Sequence, residues 1–472
     1  MKEKRNDTYL LLISMVSAMG GFLFGYDWVV IGGAKPFYEQ FFGIAAQPYL
    51  QGWAMASALV GCLVGVTFAG MLSDKYGRKK LLLAAAVLFT ASAIGTGATD
   101  SFFMFNVYRL LGGVGIGIAS NISPMYIAEV APTHTRGRFV SINQLTIVLG
   151  ILSAQVVNLL IADKVSVDFT EAEILASWNG QMGWRWMFWA EAVPATLFLF
   201  CMFLVPESPR WLAVKKQYSR AEQVLARIAG AAAAAVELAS IREVELQNAE
   251  RKVGLKALLH PSLRRVLVVG IVIAVFQQWC GINVIFNYAQ EVFAAAGYNV
   301  SDILMNIVIT GITNVVFTIV GMYLVDKIGR RALMLIGACG LACIYAVMGA
   351  CYFAGVQGVA LLVLVVMSIA CYAMTLAPVV WVVLSEIFPT RIRGAAMAVA
   401  TFALWTACTV LTYTFPLLNS GLGAAGTFWV YGGICVAGLV FVKIMLPETK
   451  GKSLEEIEKK LCSNGENNSV LS

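Results

Sequence analysis

The chain has 472 residues, 59% of them hydrophobic and only 13% charged. That is about half the charged fraction of a soluble domain, so the composition excludes a soluble globular enzyme and points to a polytopic membrane protein. The formal net charge of +7 follows from where lysine and arginine fall between apolar segments, and it gives no support to a nucleic-acid partner.

Apolar segments of spanning length, about 20 residues, fall at 9–32, 51–72, 81–98, 102–124, 139–162, 185–205, 265–290, 303–325, 332–354, 359–384, 394–418 and 425–446. Six precede the polar stretch 206–264 and six follow it, which makes an all-α protein of twelve transmembrane helices. The expected divisions are an N-terminal bundle over 1–205, a linker over 206–264, a C-terminal bundle over 265–446 and a tail over 447–472. The opening MKEKR before an apolar run resembles a signal peptide, but no small-residue cleavage site closes it, so it reads as the first span.

That first span holds GFLFGYDWVVIGGA, with the carboxylate of Asp27 inside it. A charge at mid-membrane is costly and by default functional, with a partner to be found. The fourth span, in FNVYRLLGGVGIG, contains Arg109, the only basic residue deep in a span. The sixth, in WRWMFWAEAVPA, contains a second acid, Glu191, which reads equally as a proton relay and as a structural pair.

Inward segments hold 30 of the 34 Lys and Arg residues when both termini are placed in the cytoplasm, as the positive-inside rule requires. The polar stretch includes IAGAAAAAVELASIREVELQNAE at 228–250. It is rich in strong helix formers and too polar to span, so short helices on the cytoplasmic face are expected. The ten cysteines form no CxxC pair. Most sit mid-span as small apolar residues, and neither a metal site nor a cofactor is expected. Both histidines, His134 and His260, fall in cytoplasmic loops.

The chain repeats itself. SDKYGRKK at 73–80 recurs as VDKIGRRA at 325–332, and AEVAPTHTRG at 128–137 recurs as SEIFPTRIRG at 385–394, at offsets of 252 and 257 residues. PESPRWL at 206–212 is echoed more weakly by PETKGKSL at 447–454. A run of basic inward loops explains the charge but not the shared spacing of Asp, Gly, Glu and Pro, so the two halves are homologous six-span units. In DKxGR the glycine permits a tight turn while Asp74 and Arg78, or Asp326 and Arg330, make ion pairs with neighbouring loops and helix ends. Gly77, Gly329, Glu129, Arg136, Glu207, Arg210, Glu386, Arg393 and Glu448 complete these loop motifs, which are expected to gate the two halves.

Together GFLFGYD, DKYGRK, YR opening the fourth span, AEVAPTHTRGR, NQL, PESPRWL, QQxxGxN, DKIGRR, SEIFPTRIRG and PETKG resemble the sugar porter family of the major facilitator superfamily, most closely its bacterial proton-coupled xylose transporters. The resemblance implies two six-helix bundles related by a pseudo-two-fold axis, a cytoplasmic helical linker, and a central sugar site opened alternately to each side. It also implies a monomer in the bacterial inner membrane, taking up a monosaccharide together with a proton.

A sugar must exchange water for neutral hydrogen-bond partners beside an apolar or aromatic face. Intramembrane amides at Gln144, Gln277, Gln278, Asn283, Asn287 and Asn314, with Trp381 and Trp405, suit that need. Gln277 and Asn283 are six residues apart, hence about 120° apart on a regular helix, and share a ligand only if the helix unwinds near Gly281. The resemblance places sugar contact on Phe24, Gln144, Gln277, Gln278, Asn283, Asn314, Trp381 and Trp405. Three departures stand out: Asn287 where relatives have an aromatic ring, Ala377 where they have glycine before a proline, and Leu404 where close relatives have an amide. Xylose is the first expectation, with glucose, galactose, arabinose and inositol as alternatives.

The resemblance also sets Arg109 opposite Asp27. A buried carboxylate resists ionisation and a neighbouring guanidinium favours it, so the separation of the two groups controls proton binding. An uncoupled sugar facilitator is the nearest alternative, and a non-transporting sensor a more distant one.

Overall fold

The computed structural model describes residues 6–132, 135–165, 170–249, 261–388 and 393–450. Among them the secondary structure is helical throughout. In chain order it comprises α1 (Asp7–Phe41), α2 (Pro48–Tyr76), α3 (Arg78–Ala98), α4 (Phe102–Val130), α5 (Arg136–Ile161), α6 (Glu171–Ala176), a π-helical turn (Asn179–Gly183) and α7 (Trp184–Leu204). Three short helices follow: α8 (Pro209–Val214), α9 (Tyr218–Ala229) and α10 (Ala231–Ala249). The remainder is α11 (Pro261–Trp279), α12 (Ile282–Asn287), α13 (Ala289–Ala295), α14 (Val300–Ile328), α15 (Arg330–Phe353), α16 (Val359–Met374), α17 (Leu376–Ile387) and α18 (Arg393–Met445).

Eleven helical stretches are long and apolar enough to span, and the last of them, Ala395–Met445, runs to 51 residues. Gly423 breaks its helical backbone with φ 67° and ψ 176°, so this stretch contains the last two of the twelve spans. The first span also differs from its expected limits. Helix α1 continues past 32 to Phe41, because Lys35 does not end it: its ammonium pairs inside the protein with Glu39.

Two spans are interrupted, each for a reason in the sequence. Helix α11 stops at Trp279, and the chain turns through Gly281 in the left-handed conformation at φ 87° before α12 begins. A β-carbon there would also press on the Tyr431 ring. The break between α16 and α17 falls at Thr375. Pro378 has no N–H to offer the carbonyl four residues earlier, on Met374, and its ring crowds that carbonyl.

The chain forms two compact units, Met1–Phe42 with Ser57–Asp163 and Ile174–Lys252, and Gly43–Ala56 with Lys164–Glu173 and Val253–Ser472. In the first, α1 and α5 meet backbone to backbone. A β-carbon on Gly25 would strike the carbonyl of Ile147, and one on Gly150 would strike that of Phe22. Small residues at a helix crossing are how spans pack tightly without a hydrophobic drive between them. The polar stretch carries α8, α9 and α10, whose Leu212, Ala213, Ala221, Leu225, Ala234 and Leu238 make a small core of their own.

The repeat is visible in matching loop clusters, one in each unit. In the first, Arg78 holds Glu129 through Nε and Nη2, both at 3.0 Å, and Asp74 at 3.2 Å. Glu207 Oε1 accepts the backbone N–H groups of Arg78, Lys79 and Ser208 at 2.8–3.1 Å. In the second, Arg330 holds Glu386 at 3.1 Å, and Glu448 accepts the N–H groups of Arg330, Arg331, Thr449 and Lys450 at 3.0–3.1 Å. Gly77 and Gly329 precede the arginines with φ 100° and 105°, and each lies directly against its glutamate. A carboxylate receiving several N–H groups at a helix start is a stable anion site. Arg136 lies in the field of Arg210 and of Glu237. The side chains of Asp326 and Arg393, and residues His134, His260 and 451–472, lie outside the described residues.

The two glutamates differ in their protonation. Burial pushes the Glu207 carboxyl above its ordinary value of 4.5, against the pull of its N–H donors. At Glu448 shallower burial is outweighed by backbone N–H donors, and the carboxyl is held below that value. Folding therefore takes up protons at Glu207 and releases them at Glu448. The Glu207 contribution to stability falls as pH rises from about 4.5. The Glu448 contribution is present above that pH and lost as pH falls through its lowered value. In thermal unfolding of detergent-solubilised protein across pH, Glu207→Gln is expected to lessen the decline toward higher pH and Glu448→Gln the decline toward acid. Shifts of the same sign in both variants would refute the assignment.

Candidate functional site

The first unit brings together the three intramembrane ionisable residues singled out above. Asp27 lies on α1, Arg109 on α4 and Glu191 on α7, each 2% exposed or less. Arg109 Nη1 donates to Asp27 Oδ1, and Nη2 donates to the Asp27 carbonyl at 3.3 Å. The guanidinium also sits over the Phe188 ring at 5.6 Å. Glu191 lies within the electrostatic reach of both Asp27 and Arg109.

What this arrangement can do follows from the atoms left over. Asp27 Oδ2, Arg109 Nε and Glu191 Oε1 are buried without a hydrogen-bond partner among the described residues. Oδ2 lies over the bare Cα of Gly112, 2.9 Å from where a β-carbon would stand, and the Ser92 hydroxyl crowds the same spot. One carboxylate oxygen is thus held by the guanidinium while the other has no hydrogen-bond partner among the described residues. Protonation there removes most of the attraction that holds Arg109. Ser92, Gly112 and Phe188 were not legible as site residues, because nothing in their local sequence reports what they face across helices.

The second unit gathers the amides. Gln278 Nε2 donates to Gln277 Oε1 at 3.1 Å, and Asn283 Nδ2 donates to Gln278 Oε1 and to Cys408 Sγ at 3.7 Å. The break at Gly281 is what lets Gln278 and Asn283 meet. Helix α18 is stitched along the same interrupted span. Trp279 Nε1 donates to the Ala407 carbonyl at 2.8 Å, and the Tyr288 hydroxyl donates to the Thr412 backbone carbonyl at 2.6 Å. Trp405, one turn before Cys408, is buried there. Asn287 ends α12 with its Oδ1 buried and without a partner among the described residues. Asn314 is buried on α14, whereas Trp381 on α17 is 37% exposed.

Phe24 and Gln144 belong to the first unit. Phe24 precedes the Gly25 contact on α1 and stands edge-on to Trp28 at 6.0 Å. Gln144 is half-buried on α5, between Asn143, which meets Gly21, and Ile147, which meets Gly25. No group of three or more His, Cys, Asp or Glu side chains among the described residues has metal-binding geometry.

Comparison with known proteins agrees over nearly the whole length. Residues 13–461 match the family described as sugar (and other) transporters. The chain is 38% identical to the D-xylose-proton symporter of Escherichia coli strain K12, with 97% of each chain covered. It is 36% identical to the arabinose-proton symporter of Bacillus subtilis strain 168, covering 96% of this chain and 95% of that one. The solved inward open conformation of the xylose transporter XylE from E. coli superposes with a TM-score of 0.83 at 36% identity, covering 96% of this chain and 100% of that one. Matched over nearly its whole length by transporters and built of membrane-spanning helices, the chain is a multi-pass membrane transporter and belongs to the sugar (and other) transporter family.

Proposed function

We propose that the protein carries a neutral monosaccharide, D-xylose first among the candidates, together with a proton by alternating access. The observation that carries the coupled reading is the buried Asp27–Arg109 pair with Asp27 Oδ2 left open. In the proposed cycle Asp27 takes a proton from outside and its hold on Arg109 loosens. Sugar-bound closure and inward opening follow, and loss of the proton inside restores the pair. Glu191, near both charges, relays or modulates that proton. A potential of 100 mV supplies about 2.3 kcal/mol per charge moved, equivalent to about a 50-fold accumulation.

Gln277, Gln278, Asn283, Asn287, Asn314, Trp381 and Trp405, with Phe24 and Gln144, are the proposed sugar contacts. Neutral amides and indoles suit hydroxyls that carry no charge. The two relatives compared above are named for a pentose moved with a proton, which supports xylose or arabinose over hexoses and inositol. The loop clusters around Arg78 and Arg330 are the proposed gates. The proposed setting is the bacterial inner membrane with both termini in the cytoplasm, where the excess of Lys and Arg falls, and with one chain as the working unit.

Proteoliposomes test the reading directly. D-xylose added outside is expected to evoke proton uptake, and xylose to compete more strongly than glucose, galactose or inositol for proton-driven uptake. Sugar uptake without proton movement would identify a facilitator.

A further inference from the structure

Two more ionisable side chains lie buried in α1, outside the switch just described. Lys35 Nζ and Glu39 Oε1 pair at 2.9 Å, with side chains 2% and 8% exposed. Removing two such charges from water costs several kcal/mol per ion even after relaxation, and their attraction rarely returns a surplus. A pair retained in an apolar helix therefore calls for a role other than stability.

Its position supplies one. Lys35 and Glu39 are one turn apart on one face, and Pro36 lies between them inside the helix. Pro36 has no N–H, so the carbonyl of Gly32 loses its helical donor and is crowded by the ring. Gly32 and Gly33, the two residues with least resistance to bending, stand in that same turn. Residues 32–36 are thus a weakened turn of α1, and the ion pair clamps the turn that follows it, 35–39.

The clamped turn and the residues just after it are embedded in aromatic rings that lead back to Arg109. Tyr38 and Phe42 lie 5.1 and 5.3 Å from Phe105, and Phe41 lies 5.4 Å from Trp184. Phe105 is one turn before Arg109 on α4 and stands edge-on to Phe188 at 5.8 Å. Phe188 is the ring under the Arg109 guanidinium. Close-packed interiors pass on displacements that they cannot absorb, and every ring in this chain belongs to the first unit.

We infer that Lys35 and Glu39 are positioning residues for the proton switch: their ion pair fixes the turn that follows the weak point at Pro36, and through Phe105 and Phe188 it sets how firmly Arg109 grips Asp27. The inference rests on the Asp27–Arg109 reading above. It is a claim of energetic coupling, and only a coupling measurement decides it.

The test compares full-length wild type, the neutral double variant Lys35→Met/Glu39→Gln, and the exchanged pair Lys35→Glu/Glu39→Lys in proteoliposomes. The neutral variant removes both charges of the clamp together, and the exchanged one rebuilds the pair with reversed polarity. Protons taken up per D-xylose and the rate of D-xylose counterflow are read separately. The proton ratio is expected to fall at least twofold in the neutral variant while counterflow stays within about twofold, and the exchanged pair is expected to restore the ratio. A wild-type ratio in the neutral variant would overturn the inference. So would a parallel loss of proton uptake and counterflow that exchange does not repair, since that is the mark of a structural pair. Failure of wild type itself to take up protons defeats the switch reading, and the inference with it, before any variant is compared.

Discussion

Asp27→Asn is expected to reduce proton-driven sugar accumulation to the equilibrium ratio of one, while counterflow exchange stays within a few-fold of wild type. Asparagine has the shape of the carboxyl and resembles its protonated form in charge, so it holds the switch in the state that permits sugar movement. It cannot release a proton, so the driving force has no point of entry. The loss is the whole of the gradient, about 50-fold at 100 mV. Removing the charge also leaves Arg109, itself 2% exposed, without its main counter-ion. Breaking a buried pair from one side costs about 3–5 kcal/mol, so a lower unfolding temperature is expected as well. Glu191, within reach of the guanidinium, limits that cost, and Asp27→Asn/Glu191→Gln should unfold at a lower temperature than Asp27→Asn alone. Accumulation that survives in Asp27→Asn would remove Asp27 from the coupling pathway.

Most of the architecture was legible because bilayer thickness fixes how long an apolar run must be, and the twelve runs met that length. The repeat was legible because DKxGR and its partner glutamates recur in order. The structure adds the reason: Arg78, Glu129 and Glu207 form one cluster and Arg330, Glu386 and Glu448 its counterpart. Helix limits were less legible. Lys35 looked like the edge of a span, since a charge in lipid is costly, yet its pairing with Glu39 lets α1 continue to Phe41. The i, i+4 spacing around Pro36 was the available signal. The break at Gly281 could be anticipated from what a shared ligand demands. That at Thr375 could have been read from Pro378 and the carbonyl four residues before it.

Partners across helices were the least legible part. The sequence motif named Asp27, and the resemblance paired it with Arg109. The ring beneath that arginine, Phe188, and the bare Cα of Gly112 beneath Oδ2 depend on how α4 and α7 are rotated about their axes. Periodicity does not fix that rotation where every face of a helix is apolar, because lipid-facing and protein-facing residues have the same polarity. The glycines of GFLFGYD are better determined: Gly25 lets α1 approach the Ile147 carbonyl, and that close approach fixes α1 against α5.

Gln277→Ala is expected to raise the KM for D-xylose about 10- to 100-fold, with proton-coupled accumulation of sugar retained at saturating concentration. The Gln277 carbonyl oxygen accepts from Gln278, which in turn accepts from Asn283, so these amides would meet the proposed sugar as one preorganised set. Removing a member leaves a hydroxyl of the proposed sugar without its partner in a buried site, at a cost of about 1–3 kcal/mol per unsatisfied group, which is the stated range of affinity. The acids of the proton switch lie in the other unit and keep their pairings, so the proton-to-sugar ratio should not change. Gln277→Glu makes the sharper comparison. It keeps the acceptor oxygen that Gln278 uses and the size of the side chain, but replaces the NH2 donor with a second oxygen and adds a buried charge that the neutral sugar does not compensate. It is expected to bind sugar more weakly still, and to lose affinity further as pH rises and the carboxyl ionises. Equal KM values for wild type and Gln277→Ala in transport assays would remove this amide from the sugar site.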